Sequence, residues 1–395
     1  MKRFLALLMA GLLAITALGC GNVTEPGKVY YLNCTPEANE AWQKLAATYS
    51  DIYGVEVTVR TVTDEDCAAV VRTALSREDA PTAFQLHSAA DLQLLTEYCM
   101  DLTGSEVLSQ MITGSFNFTE GGAVKAMNFS YEAFGLMVNT ALLQTAGYEI
   151  ADIQDFDSLR TIAEDIHSRR DTLQFDAFCI LTPESAAVLP LADLAQLYRD
   201  ETGSNLVRRT LDLYLDNCTP PRTKSAVADP SLDQFAQGQV VFCPCSAGGD
   251  GLLVEGIYNM DPKDLTMIPL YLGADGEESV ALVCTPRNYW AINARASEAD
   301  RKATADFLNW VATSEYGISV LQEQFGGIPF ETAGKTGFYA DSNALLSKGN
   351  TPVIITDNAA EDNRTALVAA VAEYADNRSE ENWNKIKEAL GKDPA

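Results

Sequence analysis

Apolar positions along this chain recur with two periods, and each change of period marks an element. Val29–Leu32 (VYYL) reads as a strand. Ala38–Tyr53 then sets Ala41, Trp42, Leu45, Tyr49 and Ile52 along one face at helical spacing, and Gly54 supplies the stop. Val55–Val59 alternates as a second strand. Strand, helix and strand in this order imply a right-handed crossover and a parallel pair. The pattern continues with a helix over Cys67–Leu75, a strand over Ala80–Leu86 and a helix over Ala89–Tyr98.

Phe134–Val138 (FGLMV) has no polar face, which suits a strand buried on both sides. Asn139-Thr140 offers a cap, Ala141–Ala146 a short helix, and Gly147 its end. Phe156–Arg169 reads as a helix with Leu159, Ile162, Ala163 and Ile166 inward and His167 exposed. Ala177–Leu181 is a strand and Leu189–Tyr198 a helix. Phe235–Phe242 reads as helix, turn and strand, with Gly238 at positive φ. Met267–Leu270 and Asn288–Asn293 are further strands, and Ser297–Trp310, Thr365–Asp376 and Glu380–Leu390 are helices.

Composition sharpens this picture in three ways. A chain of 395 residues exceeds what one core usually supports, so two domains are expected. Apolar residues at 47% with 21% charged are a globular composition. A formal charge of −27 repels phosphate backbones, which argues against nucleic acid as a partner.

Met1–Cys20 places Lys2-Arg3 before an apolar run, Phe4–Leu18, that is short for a bilayer span. It ends Ala17-Leu18-Gly19-Cys20, which resembles a bacterial lipobox with Cys20 as the acylated first mature residue. Two acyl chains suffice for stable anchoring. Gly21–Lys28 then reads as a flexible tether, and the protein is expected outside the cytoplasm. Eight cysteines follow Cys20, none spaced as C-x-x-C, and free, buried thiols are the expectation. Cys243-Pro244-Cys245 is too tight to hold zinc alone, and the only histidines are His87 and His167, so no metal or other cofactor is expected.

Several stretches carry a family likeness. Glu132–Gly147 (EAFGLMVNTALLQTAG), Ala80–Leu86 (APTAFQL), Phe235–Phe242 (FAQGQVVF), Asn288–Asn293 (NYWAIN), the helix ending Trp310 with the run to Gly317, and Gly326–Phe330 (GGIPF) stand in one order. Together they resemble extracellular solute-binding proteins of family 1, the sugar-type receptors of ABC importers. The resemblance implies an α/β fold of the periplasmic-binding-protein type, a two-lobed clamp. Each lobe would be a mostly parallel sheet flanked by helices, with the ligand cleft between the lobes. Residues 1–20 would be a lipoprotein signal peptide and 21–28 a tether. Residues 29–131 with 269–327 would form lobe 1, and 132–268 with 328–395 lobe 2.

The resemblance further implies a monomeric receptor on the extracellular face of a bacterial membrane, tethered by lipid on Cys20. It would bind a mono- or oligosaccharide and deliver it to ABC transporter permease subunits. An oligopeptide or another polar organic solute is the alternative ligand, and a non-transporting surface sensor the alternative role. An enzyme is not expected: no G-x-S-x-G, H-E-x-x-H or phosphate-binding loop is present. Glu132 could serve glycoside hydrolysis only with a second carboxylate that nothing in the sequence selects.

Strand ends and hinges are the positions that reach a cleft. They select Asn33, His87, Ser88, Glu132, Phe134, Ser246 and Asp250, with Tyr289 and Trp290 as aromatic candidates. Those two are adjacent on a strand, so only one can face the cleft. Trp290 is the expected one, because the related NYW run of sugar receptors borders their cleft. The sugar-stacking tryptophan that the family carries after its F-x-x-G strand is absent here, where the chain reads CPCSAGGD.

Overall fold

The computed structural model describes residues 27–63, 67–181, 201–222, 230–254, 256, 258–333, 337–355 and 361–390. The leader with Cys20 and the helix expected over Leu189–Tyr198 lie outside them. Ten strands are defined: β1 Val29–Asn33, β2 Val57–Thr61, β3 Ala83–Leu86, β4 Phe118–Glu120, β5 Ala123–Asn139, β6 Asp176–Phe178, β7 Val240–Ser246, β8 Leu265–Ile268, β9 Val280–Ile292 and β10 Thr351–Ile354. They hydrogen-bond in the order β2-β1-β3-β9-β5-β7-β6, with β4 and β8 also on β5 and β10 on β9. β1 is parallel to both β2 and β3, and β6 to β7, as the expected crossovers require. Two long antiparallel strands join these parallel groups into one sheet. β9 pairs with β3 through Tyr289–Ile292 and with β5 through Val283–Trp290. β5 continues from there onto β7 and β8.

The apolar residues sort into sandwiches on either side of these strands. In the first lobe, the helices Asn39–Tyr53, Glu298–Thr313 and Glu315–Phe325 close over Trp42, Phe129, Trp290, Phe307 and Phe330. Leu32, Phe84, Tyr289 and the helix Cys67–Leu75 form the opposite layer. In the second lobe, Phe156–Ser168 and the C-terminal helices pack on Leu136, Phe178 and Phe242, while Tyr131, Met137, Phe235 and Cys284 fill the other side. Leu159, Ile162, Ala163 and Ile166 all point inward, at the expected helical spacing.

Packing places two of the three crossings away from their expected positions. Met267–Leu270 is apolar enough for a return to the first lobe, yet β8 pairs with Leu136–Asn139. Leu270, Tyr271 and Leu272 stay in the core that holds Phe156. This second crossing instead runs along β9, between Cys284 and Tyr289. Likewise Ile328, Phe330 and Ala333 pack with Trp290 in the first-lobe core, beyond the expected boundary at 327/328, and Phe338 packs with Tyr131. At Gly327 the backbone carbonyl accepts the Tyr131 N–H at 2.9 Å. A Cβ there would lie 2.5 Å from the Tyr339 ring, so only glycine permits this approach.

Three local expectations are corrected. Cys34 and Cys67 form a disulfide, with Cα atoms 6.0 Å apart, tying the end of β1 to the helix Cys67–Leu75. Ile52 is 58% exposed, because the helix reaches its last turn beyond the edge of the core. His167 is half-buried, and its Nδ1 lies 2.9 Å from the carboxylate of buried Asp176. In the second lobe Glu277 is also buried, and its carboxylate accepts the N–H groups of Phe156 at 2.6 Å, Leu272 at 2.9 Å and Gly273 at 2.6 Å. These three bonds offset the cost of taking the acid out of water.

Candidate functional site

Successive residues on a strand point to opposite faces, and β5 uses this rule where it crosses between lobes. Met127, Phe129, Tyr131 and Ala133 point into the packed layers, while Asn128, Ser130 and Glu132 take the other face. Across the ladder, Tyr289 is paired with Asn128, Arg287 with Ser130 and Thr285 with Glu132. A polar strip therefore runs along the crossing. Beside it lies a groove of about 540 Å³ lined by the His87–Ala90 turn, the segment Ser115–Thr119, Thr285–Arg287, Tyr289 and the end of β10 at Ile354–Ile355. Among its described lining residues the ionisable side chains are His87, Arg287 and Tyr289.

A hydrogen-bonded relay underlies the first-lobe side of this groove. The Trp290 indole N–H donates to the Tyr31 hydroxyl at 3.2 Å, and that hydroxyl donates to Gln85 Oε1 at 3.0 Å. Gln85 Nε2 donates to Thr35 Oγ1 and to Asn288 Oδ1, each at 2.7 Å. Asn288 Nδ2 donates to Ser130 Oγ at 2.9 Å, and Ser130 Oγ to the Arg287 carbonyl at 3.2 Å. His87 bridges the network, with Nδ1 at 2.8 Å from Asn288 Oδ1 and Nε2 at 2.9 Å from the Cys34 carbonyl. Asn288 holds φ at 54°, in the left-handed region that asparagine tolerates better than most residues. That kink turns its carboxamide toward His87 and Gln85 in the middle of β9.

The residues selected from the sequence fare differently. His87, Ser88 and Tyr289 line the groove. Ser88 also caps the short helix Ala89–Gln93 by accepting the Asp91 N–H. Tyr289 is 5% exposed, and burial pushes its phenol up to about 12 while Arg287 pulls the other way. Glu132 is exposed at the groove's edge, 3.2 Å from an Arg287 Nη.

Trp290 is a correction. It is 0% exposed and stacks on Phe129 at a centroid distance of 4.3 Å, so its faces belong to the first-lobe core. Asn33 is also 0% exposed, and its carboxamide braces the following turn through Thr35 and Thr61. Phe134 packs against the second-lobe core, and Ser246 sits opposite it on β7; neither lines the groove. Asp250 opens the helix Asp250–Val254, and its side chain lies outside the described residues.

The sequence reading passed over Arg287, Thr285, Asn288 and Asn128 as site residues. For Asn128 the signal was the alternation M-N-F-S-Y-E-A before Phe134, which marks a strand with one polar face. Among the described residues no group of three or more His, Cys, Asp or Glu is placed to hold a metal ion. None of their helices is long and apolar enough to cross a membrane.

Comparison with known proteins gives a consistent outcome. A family profile described as bacterial extracellular solute-binding protein matches residues 44–347. The fold is similar to apo RafE of Streptococcus pneumoniae, with 13% identity, a TM-score of 0.67 and coverage of 92% of this chain and 97% of that one. It is also similar to a family 1 extracellular solute-binding protein of Bifidobacterium longum subsp. infantis, with 16% identity, a TM-score of 0.62 and 92% and 98% coverage. The solute receptor AcbH, described as exclusively preferring β-D-galactopyranose, aligns with 12% identity, a TM-score of 0.64 and 93% and 97% coverage. No curated protein matches the chain.

Proposed function

This chain belongs to the bacterial extracellular solute-binding proteins, and from that premise we propose that it is a lipid-anchored receptor that binds a carbohydrate between its lobes and passes it to an ABC permease. The observation that carries the reading is the groove beside the crossing strands. Its volume of about 540 Å³ suits a small molecule, and its walls come from the first-lobe turn at His87, from β9 and from the end of β10. A ligand there would touch segments that move relative to one another. Its contacts would therefore bias the equilibrium between open and closed forms.

Carbohydrate is favoured over peptide because the similar receptors include one solved with raffinose and one described as preferring galactopyranose. Ser88, Ser115, Asn117 and Thr119 along the groove offer the donors and acceptors that hydroxyl groups need, and Phe118 supplies apolar surface for ring C–H groups. A thermal-shift screen of mono- and oligosaccharides, peptides and other polar solutes tests the ligand class. Small-angle scattering then tests the clamp, because a bound sugar should lower the radius of gyration. Peptides stabilising the fold while no sugar does would replace the carbohydrate reading. Tight binding without compaction would remove the clamp. Anchoring is tested separately: Cys20→Ala should release the protein from the membrane fraction or leave its precursor unprocessed.

A further inference from the structure

A tether on Cys20 limits which end of the first lobe can meet a membrane. Gly27 packs on the segment before the helix Glu298–Thr313, where a Cβ would lie 2.0 Å from the Ala299 carbonyl oxygen. The Lys28 N–H donates to Asp300 Oδ1 at 2.8 Å. These contacts hold residues 27 and 28 at the base of the lobe, beside the start of that helix. Cys20 precedes Gly27 by seven residues, and a chain of that length reaches at most about 25 Å. A lipid on Cys20 therefore keeps the bilayer within that distance of the base.

Two further grooves meet at this base. One, of about 630 Å³, is lined by Lys28, Thr58 and Arg77, and also by the carboxylates of Glu56, Glu78, Asp79 and Asp300. The other, of about 380 Å³, runs between β2 and the helix Cys67–Leu75 and is lined by Arg60, Val70, Thr73 and again Arg77. Lys28, Arg77 and Arg60 therefore follow one flank, along the outward side of β2, the edge strand of the sheet. Val59 turns inward there, while Thr58 and Arg60 are exposed. The three cations are exposed, and none has an ion-pair partner among the described residues. Ile52 and Tyr53, each more than half exposed, end the neighbouring helix just before Glu56.

We propose that the first lobe rests through this flank on the headgroup layer of an anionic bilayer, with lipid phosphates taken between Arg60 and Arg77. The inference rests on the lipid-anchor reading and adds a docking surface to it. A chain with a formal charge of −27 is repelled by such a layer at long range, but at physiological ionic strength a charge is felt over only about 8 Å. The side chains that touch the headgroups decide the contact. Glu56, Glu78, Asp79 and Asp300 oppose it around Lys28, so the groove lined by Arg60 and Arg77 is where phosphate is held. Forked guanidinium groups match phosphate oxygens, and Ile52 and Tyr53 offer apolar and amphipathic surface to the interface. β1 runs from this base to Cys34, whose carbonyl meets His87, so this posture turns the ligand groove away from the lipid.

Hydrogen–deuterium exchange tests this on the acylated full chain, held on vesicles of phosphatidylcholine or of an equal mixture with phosphatidylglycerol. Exchange over Val57–Thr61 and over residues 75–80 should be slower by about threefold or more on the mixed vesicles, with the helix Phe156–Ser168 unchanged. High salt should abolish the difference without releasing the protein, since the acyl chains still hold it. Arg60→Gln with Arg77→Gln should abolish it at low salt, because each basic residue near an anionic surface is worth about fivefold. Both side chains are exposed, so the double variant should keep its melting temperature.

Equal exchange on the two kinds of vesicle overturns the inference and leaves the anchored receptor standing. Protection by soluble poly(glycerol phosphate) and not by the mixed vesicles also overturns it, and makes the flank a site for a soluble polyanion. Protection that survives in the double variant overturns the assignment of phosphate to Arg60 and Arg77. A chain that floats with neither kind of vesicle removes the anchor and the inference together.

Discussion

The two faces of the crossing strands are built from neighbouring residues and obey different rules. On the packed face, Phe129, Tyr131, Cys284 and Trp290 are all fully buried and are held by shape. On the polar face, Asn128, Ser130, Arg287 and Asn288 are held by direction: the Arg287 carbonyl accepts from Asn128 and Ser130, and the Ser130 hydroxyl accepts from Asn288. A packed face loses stability in proportion to the volume removed. A hydrogen-bonded face loses little overall but loses it specifically, because one wrong donor reverses a whole relay. Placing both on the same strands fixes the polar face rigidly without burying charge in the core.

The contrast can be broken first by alkali. Burial pushes the Cys284 thiol up to about 12 and holds the phenols of Tyr31 and Tyr131 well above their ordinary values. Each group is favoured neutral in the fold, so its contribution is complete below the ordinary thiol and phenol range. It is lost as pH rises through the folded-state values. Tryptophan fluorescence should report cooperative unfolding as pH climbs toward about 12. A flat signal over that range would mean that these groups are not sealed from solvent.

Trp290→Ala comes next, at about 3–5 kcal/mol of stability by denaturant titration, the range for deleting a buried aromatic. Trp290→Phe keeps the ring stack and removes only the N–H, and should cost about 1 kcal/mol. Equal losses in the two variants would show that the indole acts mainly through its hydrogen bond. Asn288→Ala should cost about 1–3 kcal/mol, through lost bonds and a left-handed backbone that alanine resists. Asn288→Gly should recover the backbone share of that cost. Glu132→Ala should shift stability by less than about 1 kcal/mol, since both partners of its ion pair are partly or largely exposed. A larger loss would mean that Glu132 supports the crossing itself.

Much of the fold was legible because periodicity reports burial. The helix Asn39–Tyr53 with its Gly54 stop, the helix Phe156–Ser168 and the turn at Gly238 lie where the pattern put them, within two residues. The site was less legible. Adjacency correctly set Tyr289 and Trp290 on opposite faces, and they do pack in different layers. Which face was which depended on Tyr31, Phe129 and Phe330, brought in from distant parts of the chain. The apolar run Met267–Leu270 overlaps the strand Leu265–Ile268 by two residues, but its partner was a matter of tertiary pairing that hydrophobicity does not encode. Arg287 went unread, and Asn288 was read only as the start of a strand, for a similar reason: a charge and a kink in mid-strand show their role only once their partners are known.

The seventeen-residue β5 and the thirteen-residue β9 are shared beams, each with one end in either lobe. No single cut of the chain frees a lobe with its full set of strands. Truncated versions should therefore be poor starting points for expressing one half, and permuted versions with new ends in an exposed loop better ones. The same geometry bears on how such a gene can change. A recombination breakpoint within either beam would join half a strand to a foreign partner, so exchange between relatives should favour the helices and outer loops and leave the beams to be inherited whole.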